Sequence, residues 1–201
     1  MTKAEPSSTP ATLLQLKITL LDTRPPVWRR VLVPEDFSFE QLHRVIQAAM
    51  GWEDCHLHEF LVGEERIGPR TPDPFGFGDE AETRPEASVR LRDVLSGHKK
   101  FRYWYDFGDD WWHEIAVEKR LSAATEDDLS PRLVTGKRAC PPEDCGGPWG
   151  YAELLATLAD PKHPQHEEML EWAGDLDPEV FDANAAAKAV AATVRKRRAK
   201  R

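Results

Sequence analysis

Leu14, Leu16, Ile18 and Leu20 alternate with Gln15, Lys17 and Thr19. A period of two puts the four apolar side chains on one face of a half-buried strand. Asp22-Thr23-Arg24-Pro25-Pro26 interrupts that pattern with turn formers. Alternation then resumes over Val27 to Val33, predicting an antiparallel partner joined by a short turn and ended by Pro34. After it the period changes. Ser38 and Gln41 have capping-box spacing, Phe37 and Leu42 that of a hydrophobic staple, and Leu42, Val45, Ile46 and Ala49 recur at helical intervals. With Gly51 as a left-handed stop, a helix is predicted over Phe39 to Met50.

Farther along, His56 to Val62 reads as a strand and Arg66-Ile67 as the start of its hairpin return. Residues 68–87, rich in Pro, Gly and acids, read as a surface excursion. Lys100 to Asp106 and Trp111 to Arg120 read as two strands around a Phe107-Gly108-Asp109-Asp110 hairpin loop. Cys140 to Gly150 carries three prolines and three glycines, which predicts a shaped loop. Tyr151, Leu154, Leu155 and Leu158 mark an amphipathic helix and Glu167 to Trp172 a short second one, while Asp182 is placed to cap an alanine-rich third. The sum is an α+β fold: a mostly antiparallel sheet, the capped helix packed across it, and C-terminal helices at an edge or end. Organisation follows as a disordered N-terminus over 1–12, a single domain over 13–182 with a surface insertion at 68–87, and a C-terminal helix with a basic tail over 183–201.

Length and composition narrow the function classes. A chain of 201 residues with 40% hydrophobic and 31% charged residues suits one domain with a decorated tail. Its apolar runs are only a few residues long, far below the roughly 20 that span a bilayer, so no membrane segment is expected. The polar start lacks a secretory pattern, which makes the cytoplasm the default compartment. Cys55, Cys140 and Cys145 form an odd set and are expected as thiols.

Charge is uneven. Arg195, Lys196, Arg197, Arg198, Lys200 and Arg201 place six cations in the last seven residues, and removing them from the formal net charge of −8 leaves −14 on the rest. Such an acidic body repels phosphate backbones, so DNA contact is expected to be weak and confined to this tail or a small patch. The competing reading of the tail is a solvated helix end favoured by the macrodipole.

Candidate chemistry concentrates in three segments. His56 and His58 sit two apart in an expected strand, so both imidazoles project from one face at a workable ligand spacing. His113, in a segment where Asp106, Asp109 and Asp110 crowd a turn, is the nearest candidate for a third ligand; the competing and favoured structural reading is a core histidine bonded to an aspartate. Cys140 and Cys145 have C-x4-C spacing, which needs two more ligands to close a tetrahedral site, and either thiol beside a histidine is a candidate nucleophile. Gly146-Gly147-Pro148-Trp149-Gly150 lacks the lysine and hydroxyl of a phosphate-binding loop, and the common hydrolase and deaminase templates are absent.

Pro26-Val27-Trp28-Arg29-Arg30, Leu42-His43, Gly51-Trp52 with His56-Leu57-His58-Glu59-Phe60, Tyr105-Asp106-Phe107-Gly108-Asp109-Asp110-Trp111 with His113, and Cys140-Pro141-Pro142-Glu143-Asp144-Cys145-Gly146-Gly147 occur in this order. Together they resemble the plasmid pRiA4b ORF-3-like family, also described as insertion-element passenger proteins of the TnpR type, over about Leu13 to Phe181. The resemblance implies a compact α+β fold and an association with plasmids or mobile elements, and it brings no settled biochemical activity. No serine- or tyrosine-recombinase pattern accompanies the passenger label. The insertion at 68–87 and the basic tail depart from the family pattern.

The function expected from these residues is a non-enzymatic binding or accessory module for a protein or nucleic-acid partner. Trp28, His56, His58, Tyr105, Asp106, Asp109, Trp111 and His113 would line one recognition cleft. The alternative is a metal-dependent, hydrolase-like enzyme in which His56, His58 and His113 hold a divalent ion, zinc or manganese, with Asp106 or Asp109 as ligand or general base.

Overall fold

The computed structural model describes residues 11–70, 83–125 and 129–194. Eight strands form one sheet: β1 (Thr12–Leu20), β2 (Trp28–Pro34), β3 (His58–Val62), β4 (Glu65–Gly68), β5 (Thr83–Pro85), β6 (Lys100–Tyr105), β7 (Trp111–Ser122) and β8 (Arg132–Lys137). Their order across the sheet is β5-β4-β3-β6-β7-β1-β2-β8. All neighbours are antiparallel except β4 and β5. The helices are α1 (Phe39–Met50), α2 (Leu91–Leu95), α3 (Gly147–Ala159), α4 (His166–Ala173) and α5 (Ala183–Ala192).

The predicted alternation has its physical counterpart in β1. Leu14, Leu16, Ile18 and Leu20 are almost wholly buried, and Gln15, Lys17 and Thr19 turn to the other face. Leu16 pairs with Val31 on one side and Val117 on the other, so the apolar rows of three strands coincide on the face that receives α1. That helix has the expected ends. The Ser38 side chain accepts from the Gln41 N–H, Gln41 returns the bond to the Ser38 N–H, and Gly51 closes the helix at φ 98. Phe39, Leu42, Val45, Ile46 and Ala49 enter the same core.

Arg29 on β2 also faces inward. Its Nε donates to the Ala49 carbonyl, one Nη to the carbonyls of Trp28 and Lys137, and its guanidinium lies 3.8 Å from the Phe181 ring centre. Burial lowers its pKa to about 10. These bonds tie the end of α1 to β8 and to the approach of α5, where the Asp182 side chain caps by accepting from the Ala185 N–H.

Several expectations change. The strand expected from His56 begins at His58, so the two histidines do not share strand parity. β1 opens at Thr12, inside the stretch expected to be disordered. In the expected excursion, Gly68 ends β4, Thr83–Pro85 adds a parallel strand, and Glu86 is buried; 71–82 lie outside the described residues. The shaped loop ends earlier than expected, because α3 starts at Gly147. No helix among the described residues is long and apolar enough to cross a membrane.

Candidate functional site

The β3-β6-β7 ladder builds the platform. His58 pairs with Tyr105, which pairs with Trp111; Phe60 pairs with Tyr103, which pairs with His113. Directly opposed residues share a face, so all six point toward α1. At the end of this ladder Asp106 takes a left-handed conformation, φ 52, and its Oδ1 accepts from the N–H groups of Gly108 (3.0 Å) and Asp109 (3.3 Å). The bend leaves Oδ2 facing His56 at 3.5 Å.

The 140–150 loop folds over this hairpin tip. Trp52 stacks on Tyr105 with ring centres 4.9 Å apart and donates through Nε1 to the Pro141 carbonyl at 3.0 Å. Gly146 N–H donates to Asp109 Oδ2 at 3.1 Å. Gly147, at φ +68, lies so close to the Asp109 carbonyl that a Cβ would collide with it. Glu143 and Asp144 are thereby delivered onto His56.

Four candidate side chains meet there, and the donor atoms of three of them, His56, Asp106 and Asp144, are mutually close. His56 Nε2 lies 3.2 Å from Asp144 Oδ1, 3.5 Å from Asp106 Oδ2 and 3.9 Å from Glu143 Oε2. The other Glu143 oxygen accepts from the Glu53 N–H at 2.9 Å and the Tyr105 hydroxyl at 3.1 Å. Burial, then the Glu143 charge, pushes the Tyr105 hydroxyl pKa upward and keeps it a donor. His56 Nε2 and Glu143 Oε2 are both cut off from solvent and have no hydrogen-bond partner. Cys55 Sγ completes a second set of mutually close donor atoms with His56 and Glu143, on the exposed side. Asp144, its side chain 73% exposed, faces outward. A cleft of about 500 Å³ runs beside Cys55, Glu143 and Asp144.

His58 belongs elsewhere. Its Nε2 lies 2.7 Å from Glu86 Oε2, and its ring stacks on that of His43. Both His43 nitrogens are engaged, Nδ1 with the Tyr103 hydroxyl at 2.8 Å and Nε2 with Asp54 Oδ1 at 2.6 Å. Gln47 joins the network, donating to the Tyr103 hydroxyl and accepting from the Asp54 N–H. Burial first, then the neighbouring His58, lowers the His43 pKa to about 4. His43, Asp54 and His58 have the proximity of metal ligands, but their nitrogens already serve internal hydrogen bonds. This cluster is a hydrogen-bonded polar network that runs from buried His43 and His58 to exposed Asp54.

The expected His56, His58 and His113 ligand set is therefore not assembled. His113 is fully buried, its Nδ1 lies 3.3 Å from the Tyr103 carbonyl, and burial lowers its pKa to about 3. It joins no ligand cluster among the described residues and reaches no aspartate. The single recognition cleft dissolves as well. Tyr105, Trp111 and His113 are core residues, while Trp28 pairs with Thr19 on the opposite face of the sheet. Asp109 anchors the loop through its bond from Gly146.

Cys140 and Cys145 are free thiols and enter no ligand cluster among the described residues. Burial raises both pKa values, that of Cys145 to about 12, which removes the thiolate a nucleophile requires. Arg195, Lys196, Arg197, Arg198, Lys200 and Arg201 lie outside the described residues.

Residue reading overlooked Glu143, Asp144 and Cys55 as site components, and His43 and Glu86 as the partners that engage His58. The available signal was the acidic pair inside the Pro- and Gly-rich loop, which the flanking cysteines overshadowed.

Comparison with known proteins agrees with this architecture. The crystal structure of a protein of unknown function, MM3350 from Methanosarcina mazei Go1, superposes with a TM-score of 0.78 at 38% identity, covering 88% of this chain and 98% of that one. The uncharacterized protein y4hQ of Sinorhizobium fredii (strain NBRC 101917 / NGR234) is 42% identical over 175 residues, 87% of each chain. The family model described as plasmid pRiA4b ORF-3-like protein matches residues 12–185. The chain belongs to the plasmid pRiA4b ORF-3-like family.

Proposed function

We infer that this protein is a divalent-metal-binding module, with the ion at His56 and its further ligands drawn from the two donor sets that share this imidazole, Asp106 with Asp144 and Cys55 with Glu143. The observation that carries the reading is the pair of orphaned atoms, His56 Nε2 and Glu143 Oε2, 3.9 Å apart and both shut off from water. Leaving a buried polar atom unsatisfied costs about 1–3 kcal/mol, more where it is charged. Three carboxylates around one imidazole add mutual repulsion. A divalent cation relieves both costs at once, and one nitrogen with several carboxylate oxygens suits zinc or manganese. Cys55 at the rim adds a soft donor and tilts the choice toward zinc.

A binding role needs only this. Metal-assisted hydrolysis is the second reading, favoured by exposed Asp144 and the adjoining cleft, which leave a side of the ion open to water or substrate.

The test is metal content of protein purified without chelator, followed by calorimetric titration of zinc and manganese into the wild type, His56→Ala and Glu143→Gln. Stoichiometric metal, with affinity reduced at least about tenfold in each variant, is expected. Absence of binding, with a melting temperature unmoved by either metal, overturns the reading. Metal-dependent cleavage of activated esters, lost in His56→Ala, would select hydrolysis over binding.

A further inference from the structure

The face of the sheet turned away from α1 has its own chemistry. Trp104 and Trp112, paired across β6 and β7, stack with ring centres 4.9 Å apart and planes within 9° of parallel. Trp28 stands on β2, two strands away from β7; the row through it runs across Thr19 to Glu114, so Trp112 is displaced from Trp28 by two residues along the strand. Two strand spacings and that two-residue offset put the two backbones about 12 Å apart, a distance that a few nucleotides can bridge. These indoles are part-exposed, although the inward residues of the same strands are buried.

Cations accompany the rings. Lys17 lies 5.3 Å and Arg30 5.2 Å from the Trp28 ring centre, and Arg102 lies 5.7 Å from that of Trp112. Arg30 is held by Glu118, but Lys17 and Arg102 form no salt bridge among the described residues. On a chain with net charge −8, an outward surface on which Lys17, Arg30, Lys100 and Arg102 face Glu114 and Glu118 beside three indoles is a local reversal of sign.

We propose that this face binds single-stranded DNA, with bases stacking on Trp112 and Trp28 and phosphates meeting Lys17 and Arg102. Base stacking on aromatic side chains flanked by cations is how sequence-tolerant single-strand binding is built. Duplex is disfavoured, because a broad sheet enters neither groove and stacked pairs present no free base faces. The face also offers little to select a ribose hydroxyl: Glu118 already accepts from Gln15 and Arg30, and Glu114 from Lys100.

Fluorescence anisotropy with a labelled oligothymidylate of about 15 nucleotides tests the proposal on the full chain. Binding should weaken about tenfold between about 50 and about 200 mM salt, as expected for two or three neutralised phosphates. Trp112→Ala should weaken it about tenfold or more. Lys17→Gln with Arg102→Gln should weaken it about tenfold or more while the protein stays folded, which covers the case in which Trp112→Ala fails to fold. Chelator should have no effect, separating this surface from the metal centre.

Unchanged affinity in the charge-neutralised protein overturns the proposal, as does equal affinity for duplex or tighter binding of oligouridylate. It also falls if binding disappears when the six tail cations are replaced by glutamine and persists when only the sheet face is changed.

Discussion

The imidazoles of His43 and His58 lie face to face, ring centres 3.5 Å apart and planes within 5° of parallel, one carried by α1 and the other by β3. Two charged rings at that separation repel, and the contact works when His43 is neutral. Its bonds to Tyr103 and Asp54 then hold it in place while His58 engages Glu86.

A pH dependence of stability follows. An ordinary histidine titrates near 6.5; burial lowers His43 to about 4 and His113 to about 3. Folded values below the unfolded one mean that the contribution is complete above about pH 6.5 and is lost as pH falls through about 4 and then about 3. The slope is at most about 1.4 kcal/mol per pH unit for each histidine in that window. Urea denaturation from pH 7 down to about pH 4.5 should show declining stability, with a shallower decline for His43→Gln. Parallel curves for variant and wild type would remove His43 from the explanation.

Gly147→Ala should lift the loop from the hairpin. The added methyl meets the Asp109 carbonyl at a residue already held at φ +68, so a loss of about 1–3 kcal/mol is expected along with weaker binding at the proposed metal centre. Gly51→Ala is the control. Its φ is +98, but a methyl there meets nothing within 4 Å, so only the conformational cost of about 1 kcal/mol applies. Equal melting temperatures for the two variants would contradict the close approach at Gly147.

Trp52→Phe separates stacking from anchoring. A phenyl ring can still lie on Tyr105, but the Pro141 carbonyl loses its indole donor. A cost of about 1–2 kcal/mol is expected, with reduced affinity at the proposed metal centre because Glu143 and Asp144 are less firmly delivered. Unaltered metal affinity would show that the loop reaches His56 without this bond.

Local patterns were the legible part of the molecule. The α1 helix could be read to its ends, because capping, staple and left-handed stop depend on residues within a turn or so of one another. β1, β2, β6 and β7 followed from alternation. β8 escaped notice because its residues are mostly exposed and it holds its place by pairing with β2, with Phe181 lying over Gly136. α2, five residues long, has too little length for a helical period to register.

At the candidate site, residue types pointed to His56 and Asp106 but joined them to the wrong histidines. The sequence by itself determined the α+β class, the capped helix and the presence of imidazoles, carboxylates and thiols, since these depend on composition and near neighbours. Tertiary structure decided which donor atoms remain free. Glu86 occupies His58, the Tyr103 carbonyl lies against His113, and a loop locked onto the hairpin tip brings Glu143 and Asp144 to His56. A hydrogen-bond partner supplied from a distant stretch of chain consumes a nitrogen without changing its neighbours in sequence, so only the folded arrangement separates a ligand from a core histidine.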